Sequence, residues 1–387
     1  MTAELFTSVS AGLGRITLNR PHALHALTTE MCAAMIEALL AWRDDEGVRA
    51  VLIEHQPGTR GFCAGGDIRM IAESGAAGGA EARHFFHTEY RLNHLLFVYE
   101  KPVIALMDGV TMGGGVGISM PARYRIATER TTYAMPETGI GLFPDVGGGW
   151  YLPRLPGQIG LWLALTGARL KAADCIAAGI ATHFAESAKL SALVDAFPSS
   201  LVEEGLGEEG RFNVQAPDHL HAPHPPPPSP QGRGGLFARF TSDPGAPIEL
   251  TPENRARIDL LFAGSSVEAI FAALEADGSD WAKAQLATLR TKSPQTLKVA
   301  FRQLREGARM RSFADEMRQE YRIGARVSTR HDFIEGVRAL IIDKDNAPKW
   351  SPPTLAGVTG AMLDEIFAPL PADEEWTPLP GLEETRP

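Results

Sequence analysis

Two acidic residues, Glu137 and Asp145, stand in MPETGIGLFPDVGGGW, where their neighbours are apolar, small or proline. Carboxylates in such surroundings, brought to one pocket across a sharp bend, suit general acid–base or nucleophilic work on a bound acyl group. The Pro136-Glu137 pair also fits a plain helix start, and Asp145 before Gly147, Gly148 and Gly149 fits a capped, permissive turn. Two glycine-rich turns lie upstream, CAGGD with Gly65 and Gly66, and GGGVG from Gly113 to Gly117. A strand that turns into a helix through residues without Cβ atoms leaves unpaired N–H groups aimed at one spot. One amide from each turn, placed on the same oxygen, makes an oxyanion hole, where a single donor is worth ~2.7–4 kcal/mol in the transition state. The plainer alternatives are a tight turn with Asp67 capping the next helix, and close helix–strand packing at Gly113 to Gly117.

The elements that must position these turns alternate between strand and helix. Ile16 to Leu18 form a short strand ending at Pro21, Thr28 caps a helix to about Trp42, and Val48 to Glu54 form a second buried strand. A helix spans about Ala80 to Tyr99, and the β-branched run Val103 to Met107 makes a strand before the glycine turn and a short helix through Met120. Tyr124 to Tyr133 are again strands. This β-β-α rhythm recurs without close repetition of sequence, which gives an α/β fold class. From about Gly157 the pattern is helical. HAPHPPPPSPQGRGG then lies in a stretch without apolar periodicity, predicting an irregular insertion. Thr251 is a good N-cap and opens amphipathic helices reaching about Asp343, and the tail after Pro352 is acidic and partly mobile. The domain reading is therefore a core over 1–200, an insertion over 201–250, a helical region over 251–352 and a tail over 353–387.

A net charge of −10 with scattered Lys and Arg argues against a nucleic-acid partner. No apolar run reaches the ~20 residues of a membrane span, so no membrane association is expected. MTAELFTSVS has neither a basic n-region nor an Arg-rich transit pattern, which places the protein in the cytoplasm. Cys32, Cys63 and Cys175 are too few and too far apart for a zinc site or a disulfide framework, and read as reduced, buried thiols. No metal is expected. The chain has neither G-x-G-x-x-G nor a Gly-Lys dipeptide, and Gly117-Ile118-Ser119-Met120-Pro121 lacks the last glycine of a nucleophile elbow.

FCAGGDI, DGVTMGGGVGIS, MPETGIGLFPDVGGGWYLPRL and DFIEGVRALIIDKDNAPKW resemble the crotonase (enoyl-CoA hydratase/isomerase) superfamily, and within it the 3-hydroxyisobutyryl-CoA hydrolase subgroup. The resemblance covers about residues 5 to 200 and 250 to 352. It implies a crotonase-like spiral of β-β-α units followed by a helical C-terminal region, and an acyl-CoA substrate with no separate cofactor. Carried onto this chain, the oxyanion-hole amides are those of Gly66 and Gly114. Similar hydratases use two glutamates to add water across a double bond. One falls at Glu137, but the other position is Gly117, which has no side chain. Asp145 stands where hydratases have a glycine and the hydrolases an aspartate, and Glu89 falls where the hydrolases contact substrate.

The activity so implied is hydrolysis of a short 3-hydroxyacyl-CoA, foremost 3-hydroxyisobutyryl-CoA of valine degradation, with Glu137 as nucleophile or general base and Asp145 and Glu89 orienting substrate. The alternatives are an enoyl-CoA hydratase or isomerase, and a non-catalytic acyl-CoA-binding protein. His22 and His25 depart from the Lys and Asn common near the CoA side, putting phosphate contacts in doubt. The superfamily often forms homo-oligomers, though C-terminal helices folded over the chain's own site leave a smaller assembly.

Overall fold

The computed structural model describes residues 4–203, 239–382 and 384. Strands β1 (Leu5–Ser10) and β2 (Leu13–Leu18) form a hairpin, and α1 (Thr29–Arg43) opens where the Thr28 hydroxyl accepts from the Met31 amide at 3.2 Å. There follow β3 (Ala50–His55), β4 (Gly61–Cys63), α2 (Ile68–Ala76) and α3 (Ala80–Phe97). Next come β5 (Val103–Met107), β6 (Val110–Met112), α4 (Gly114–Ser119), β7 (Tyr124–Ala127) and β8 (Thr132–Ala134). A 3-10 turn, Glu137–Ile140, leads to α5 (Gly148–Tyr151), α6 (Ile159–Thr166), α7 (Ala172–Ala177), β9 (His183–Phe184) and α8 (Leu190–Glu203).

These strands form two sheets, a six-stranded one in the order β1-β2-β3-β5-β7-β9 and a three-stranded one in the order β4-β6-β8. Every pairing but β1 with β2 is parallel. The chain crosses from the large sheet to the small one and on toward a helix in each successive pass, β3 to β4, β5 to β6 and β7 to β8, which is the spiral of β-β-α units. β3, β5 and β7 are buried along their whole length, as expected of parallel strands covered on both faces. The small sheet is what positions the chemistry, because β4 ends at the Gly65–Gly66 turn, β6 at Gly113, and β8 two residues before Pro136.

The C-terminal region contributes α9 (Pro252–Leu261), α10 (Val267–Asp277), α11 (Asp280–Arg290), α12 (Pro294–Gly307), α13 (Phe313–Val327), α14 (His331–Val337) and α15 (Gly360–Phe367). The first five are opened by Thr251, Ser266, Ser279, Ser293 and Ser312, whose hydroxyls each accept from an amide three residues on. α13 lies along α3, and Gly324 lets the Phe86 and Tyr90 rings approach.

One segment differs from the sequence reading, and another falls mostly outside the described residues. The tail, expected to be partly mobile, is tied down over its described residues. Trp376 is fully buried, its indole N–H donates to His87 O at 3.2 Å, and Arg91 donates to Thr377 O at 2.9 Å. Glu384 accepts from the amides of Phe313 and Ala314 at 3.1 and 2.8 Å, so an acid that looked like solvated charge is a helix cap. Most of the expected insertion, residues 204–238, lies outside the described residues. Its last residues are anchored, since the amides of Ile248, Glu249 and Leu250 all donate to Asp174 Oδ1 at 2.9–3.0 Å.

Candidate active site

The two glycine turns meet back to back. Leu27 forms a bridge to the first, donating to Gly65 O at 2.8 Å and accepting from the Asp67 amide at 2.9 Å. Gly65 has φ 125°, a conformation open in practice only to glycine. Asp67 does cap α2, accepting from the Met70 amide at 3.2 Å, and Arg20 pairs with its second oxygen at 2.6 Å. The cap and the exposed amide thus coexist, since Gly66 N–H has no acceptor within the described protein. Gly114, the first residue of α4, likewise keeps its amide free. A Cβ on Gly114 would sit 2.6 Å from Glu89 Oε1 and 3.1 Å from the Gly65 carbonyl carbon, so the approach of the two turns admits no side chain.

Three buried carboxylates face these amides. Glu137, on the 3-10 turn after β8, and Asp145, in the loop before α5, are each 5% exposed, and Glu89 of α3 is 1% exposed. Together with Gly65, Gly66, Gly113 and Gly114 they line one cleft, about 460 Å³ with its open mouth included, whose remaining wall is mostly apolar, including Ile71, Phe85 and Leu142. Glu89 Oε1 and Glu137 Oε2 have no hydrogen-bond partner in the protein. Asp145 Oδ2 accepts from Tyr90 O–H at 2.8 Å.

Burial governs their protonation. It pushes Asp145 up to about 7, against the stabilising Tyr90 hydrogen bond. Burial, and then the nearby Asp145, push Glu89 and Glu137 well above the usual carboxylate range. Lys292, just after α11, opposes this at Glu137, and its own ammonium is pulled down by burial. Glu89 has no such cation and its Oε1 no donor, so nothing in the protein offsets its upward shift.

The sequence pattern describing the enoyl-CoA hydratase/isomerase family matches residues 13–367. The chain belongs to that family. Among its curated relatives, the mitochondrial 3-hydroxyisobutyryl-CoA hydrolase of Danio rerio is 45% identical over 92% of this chain and 87% of that protein. The protein of the same name in Homo sapiens is 41% identical over 92% and 86%. Among solved family structures, a carnitinyl-CoA dehydratase from Mycobacterium thermoresistibile superposes with TM-score 0.84 at 38% identity, covering 97% of this chain and 99% of that one. An enoyl-CoA hydratase from Rhodobacter sphaeroides 2.4.1 gives TM-score 0.79 at 36% identity, covering 97% and 100%. These relatives place the chain in the crotonase superfamily and its 3-hydroxyisobutyryl-CoA hydrolase subgroup. The curated relatives are mitochondrial by name, so the cytoplasmic placement draws no support from them. Among the described residues no helix is long and apolar enough to cross a membrane, and no cluster of His, Cys, Asp or Glu could hold a metal.

Gly66, Glu89, Gly114, Glu137 and Asp145 all line this cleft, whereas the family's second carboxylate position, Gly117, is closed. A Cβ there would lie 2.6 Å from Asn93 Nδ2 and 2.7 Å from Val146 Cβ. His25 is not presented to a ligand either. It is fully buried, its Nδ1 accepts from the Arg20 amide at 3.0 Å and its Nε2 meets the Thr59 hydroxyl at 2.8 Å, and burial lowers it to about 4. Sequence reasoning missed Tyr90, although it follows Glu89 directly, and Lys292, whose approach to Glu137 depends on the packing of the C-terminal helices. Cys32, Cys63 and Cys175 are free, buried thiols.

Proposed function

We propose that this chain hydrolyses a short 3-hydroxyacyl-CoA thioester, foremost 3-hydroxyisobutyryl-CoA, to the hydroxy acid and CoA. The thioester oxygen lies between the Gly66 and Gly114 amides, which stabilise the charge that develops on it. Glu137 either attacks the carbonyl carbon or takes a proton from the attacking water. In the first route an O–C bond forms, the C–S bond breaks, CoA leaves as the thiolate, and water then opens the mixed anhydride. In the second, water forms the new C–O bond as Glu137 takes its proton, the C–S bond breaks, and CoA leaves as the thiolate, to which that proton passes. Protonated Glu89 and ionised Asp145, held by Tyr90, offer a donor and an acceptor to the substrate's 3-hydroxyl, and an acyl-CoA without that hydroxyl leaves both unpaired.

The observation that carries this reading is that Asp145 shares the cleft with Glu137 while position 117 is packed shut by Asn93 and Val146. Two solved relatives are a dehydratase and a hydratase, but syn addition of water by a carboxylate at position 117 has no room here. The test is thiol release from (S)-3-hydroxyisobutyryl-CoA, with crotonyl-CoA hydration run on the same preparation. Thiol release without hydration supports the hydrolase. Hydration alone restores the hydratase, and inactivity on both leaves an acyl-CoA-binding protein. Acyl chain length enters weakly, because one methyl is worth only ~1–3 kcal/mol of discrimination.

A further inference from the structure

The loop that bears Asp145 is held from outside the cleft by a second set of buried groups. Val146 has φ 54° and Gly147 φ 92°. A β-branched residue in the left-handed region is strained, costing on the order of 1–3 kcal/mol, and persists only where its surroundings enforce it. The enforcing group is Glu320 of α13, fully buried, whose Oε2 accepts from the Gly147 amide at 2.8 Å and whose Oε1 accepts from the Gly149 amide at 3.1 Å. Gln303 of α12 completes the brace, its Nε2 donating to Glu320 Oε1 at 3.1 Å and to Pro144 O at 2.8 Å. Pro144 and Gly147, which bracket Asp145 and Val146, are therefore both fixed by the C-terminal helices.

We propose that Glu320 is a positioning residue for Asp145, holding the Pro144–Gly149 turn so that the Asp145 carboxylate stands in the cleft at hydrogen-bonding distance from Tyr90. The proposal rests on the reading of Asp145 as a substrate-orienting group. A buried acid is a costly way to cap a four-residue helix, but its two oxygens accept from two amides at once, which a Gln cannot do. Glu316, one turn earlier on α13, is buried beside Glu320, and neither of its oxygens has a partner. Glu320 accepts three N–H groups, yet burial, then Glu316 and Asp145, push it well above the usual carboxylate range, and burial pushes Glu316 up to about 8. Tyr90 on α3, Tyr151 on α5 and Glu306 on α12 are the remaining titratable neighbours, and Arg154 faces Glu316.

The experiment compares wild type, Glu320→Gln and Glu316→Gln in thiol release from (S)-3-hydroxyisobutyryl-CoA over about pH 5 to 9. Glu320→Gln keeps the shape but presents an amide where two N–H groups must be accepted. It lowers kcat ~10²-fold, with a smaller change in KM, as for a displaced orienting group. It also moves the acid limb upward, because a displaced Asp145 loses the Tyr90 hydrogen bond that holds its carboxyl down. Glu316→Gln leaves the three N–H contacts of Glu320 intact and leaves both readings in place. An unchanged acid limb and kcat in Glu320→Gln, or the same changes in Glu316→Gln, overturns the proposal. If Glu320→Gln does not fold, Gln303→Met removes the tie to Pro144 O and must lower kcat in the same sense. Titration of the Asp145 carboxyl by carbon NMR, assigned with Asp145→Asn, reads the shift without turnover. A wild type that releases no thiol therefore sinks the proposed function, and a carboxyl titration unmoved by Glu320→Gln sinks the positioning role.

Discussion

Replacing Tyr90 by Phe removes one oxygen and leaves the ring, which packs 5.6 Å from Phe86, in place. The lost contact is the 2.8 Å hydrogen bond to Asp145 Oδ2, donated to the ionised carboxylate. A hydrogen bond to a charged group is worth ~1.5–3 kcal/mol, and one pKa unit corresponds to ~1.4 kcal/mol, so Asp145 should titrate ~1–2 units higher in the variant. In the wild type it is held at about 7. The acid limb of kcat/KM for thiol release should therefore move up by ~1–2 units, with roughly a fivefold to fiftyfold loss at neutral pH that recovers on the alkaline plateau. The limb reports the Glu89–Asp145 pair rather than either group alone. A uniform loss at every pH would make Tyr90 a packing residue. An unmoved limb would mean that Asp145 does not control the rate.

Glu137→Gln should cost ~10²–10⁴-fold in turnover, and rapid-quench labelling with heavy-oxygen water, read on Glu137, separates the nucleophilic route from the general-base route. Asp145→Asn should trade activity for stability. The folded pKa of about 7 lies above the unfolded one, so the favourable contribution is present at low pH and lost as pH rises through about 7. The variant should then unfold at a higher temperature than wild type near pH 8 and at a similar temperature near pH 4, as calorimetry would show. Gly117→Ala should cost ~1–3 kcal/mol by overpacking against Asn93 and Val146, read as a lower urea midpoint, and Gly117→Glu should confer no crotonyl-CoA hydration. Lys292→Met removes the cation that favours ionised Glu137 and should shift the acid limb upward, with KM as the control.

The parts of the site that lie within short stretches of sequence were legible. Gly66, Gly114, Glu137 and Asp145 each sit in a turn of unusual composition and do line one cleft, and the full-length burial of β5 shows as an apolar run. The small sheet was not legible, because β4, β6 and β8 are three residues each, too short for a period of two to register. Glu320 was missed for another reason. Its partner amide at Gly147 is 173 residues away, and on its own helix it looks like one more acid in an amphipathic pattern. His25, read as a departure near the CoA side, is sealed among Arg20, Thr59 and His55, a burial that its local sequence does not show. Long-range hydrogen bonding is the information that local pattern lacks.

The tail gives the molecule an order of assembly. Trp376 and Thr377 bind His87 and Arg91, the residues on either side of Glu89 and Tyr90, across separations of 289 and 286 positions. During synthesis the spiral core emerges first, with α3 packed on α1 and α2 but not yet on α13 or the tail. Closing so long a loop is slow compared with local folding. A chain halted before residue 376 would therefore present the glycine turns and both loop carboxylates while α3 lacks the two tail bonds at His87 and Arg91, which close last.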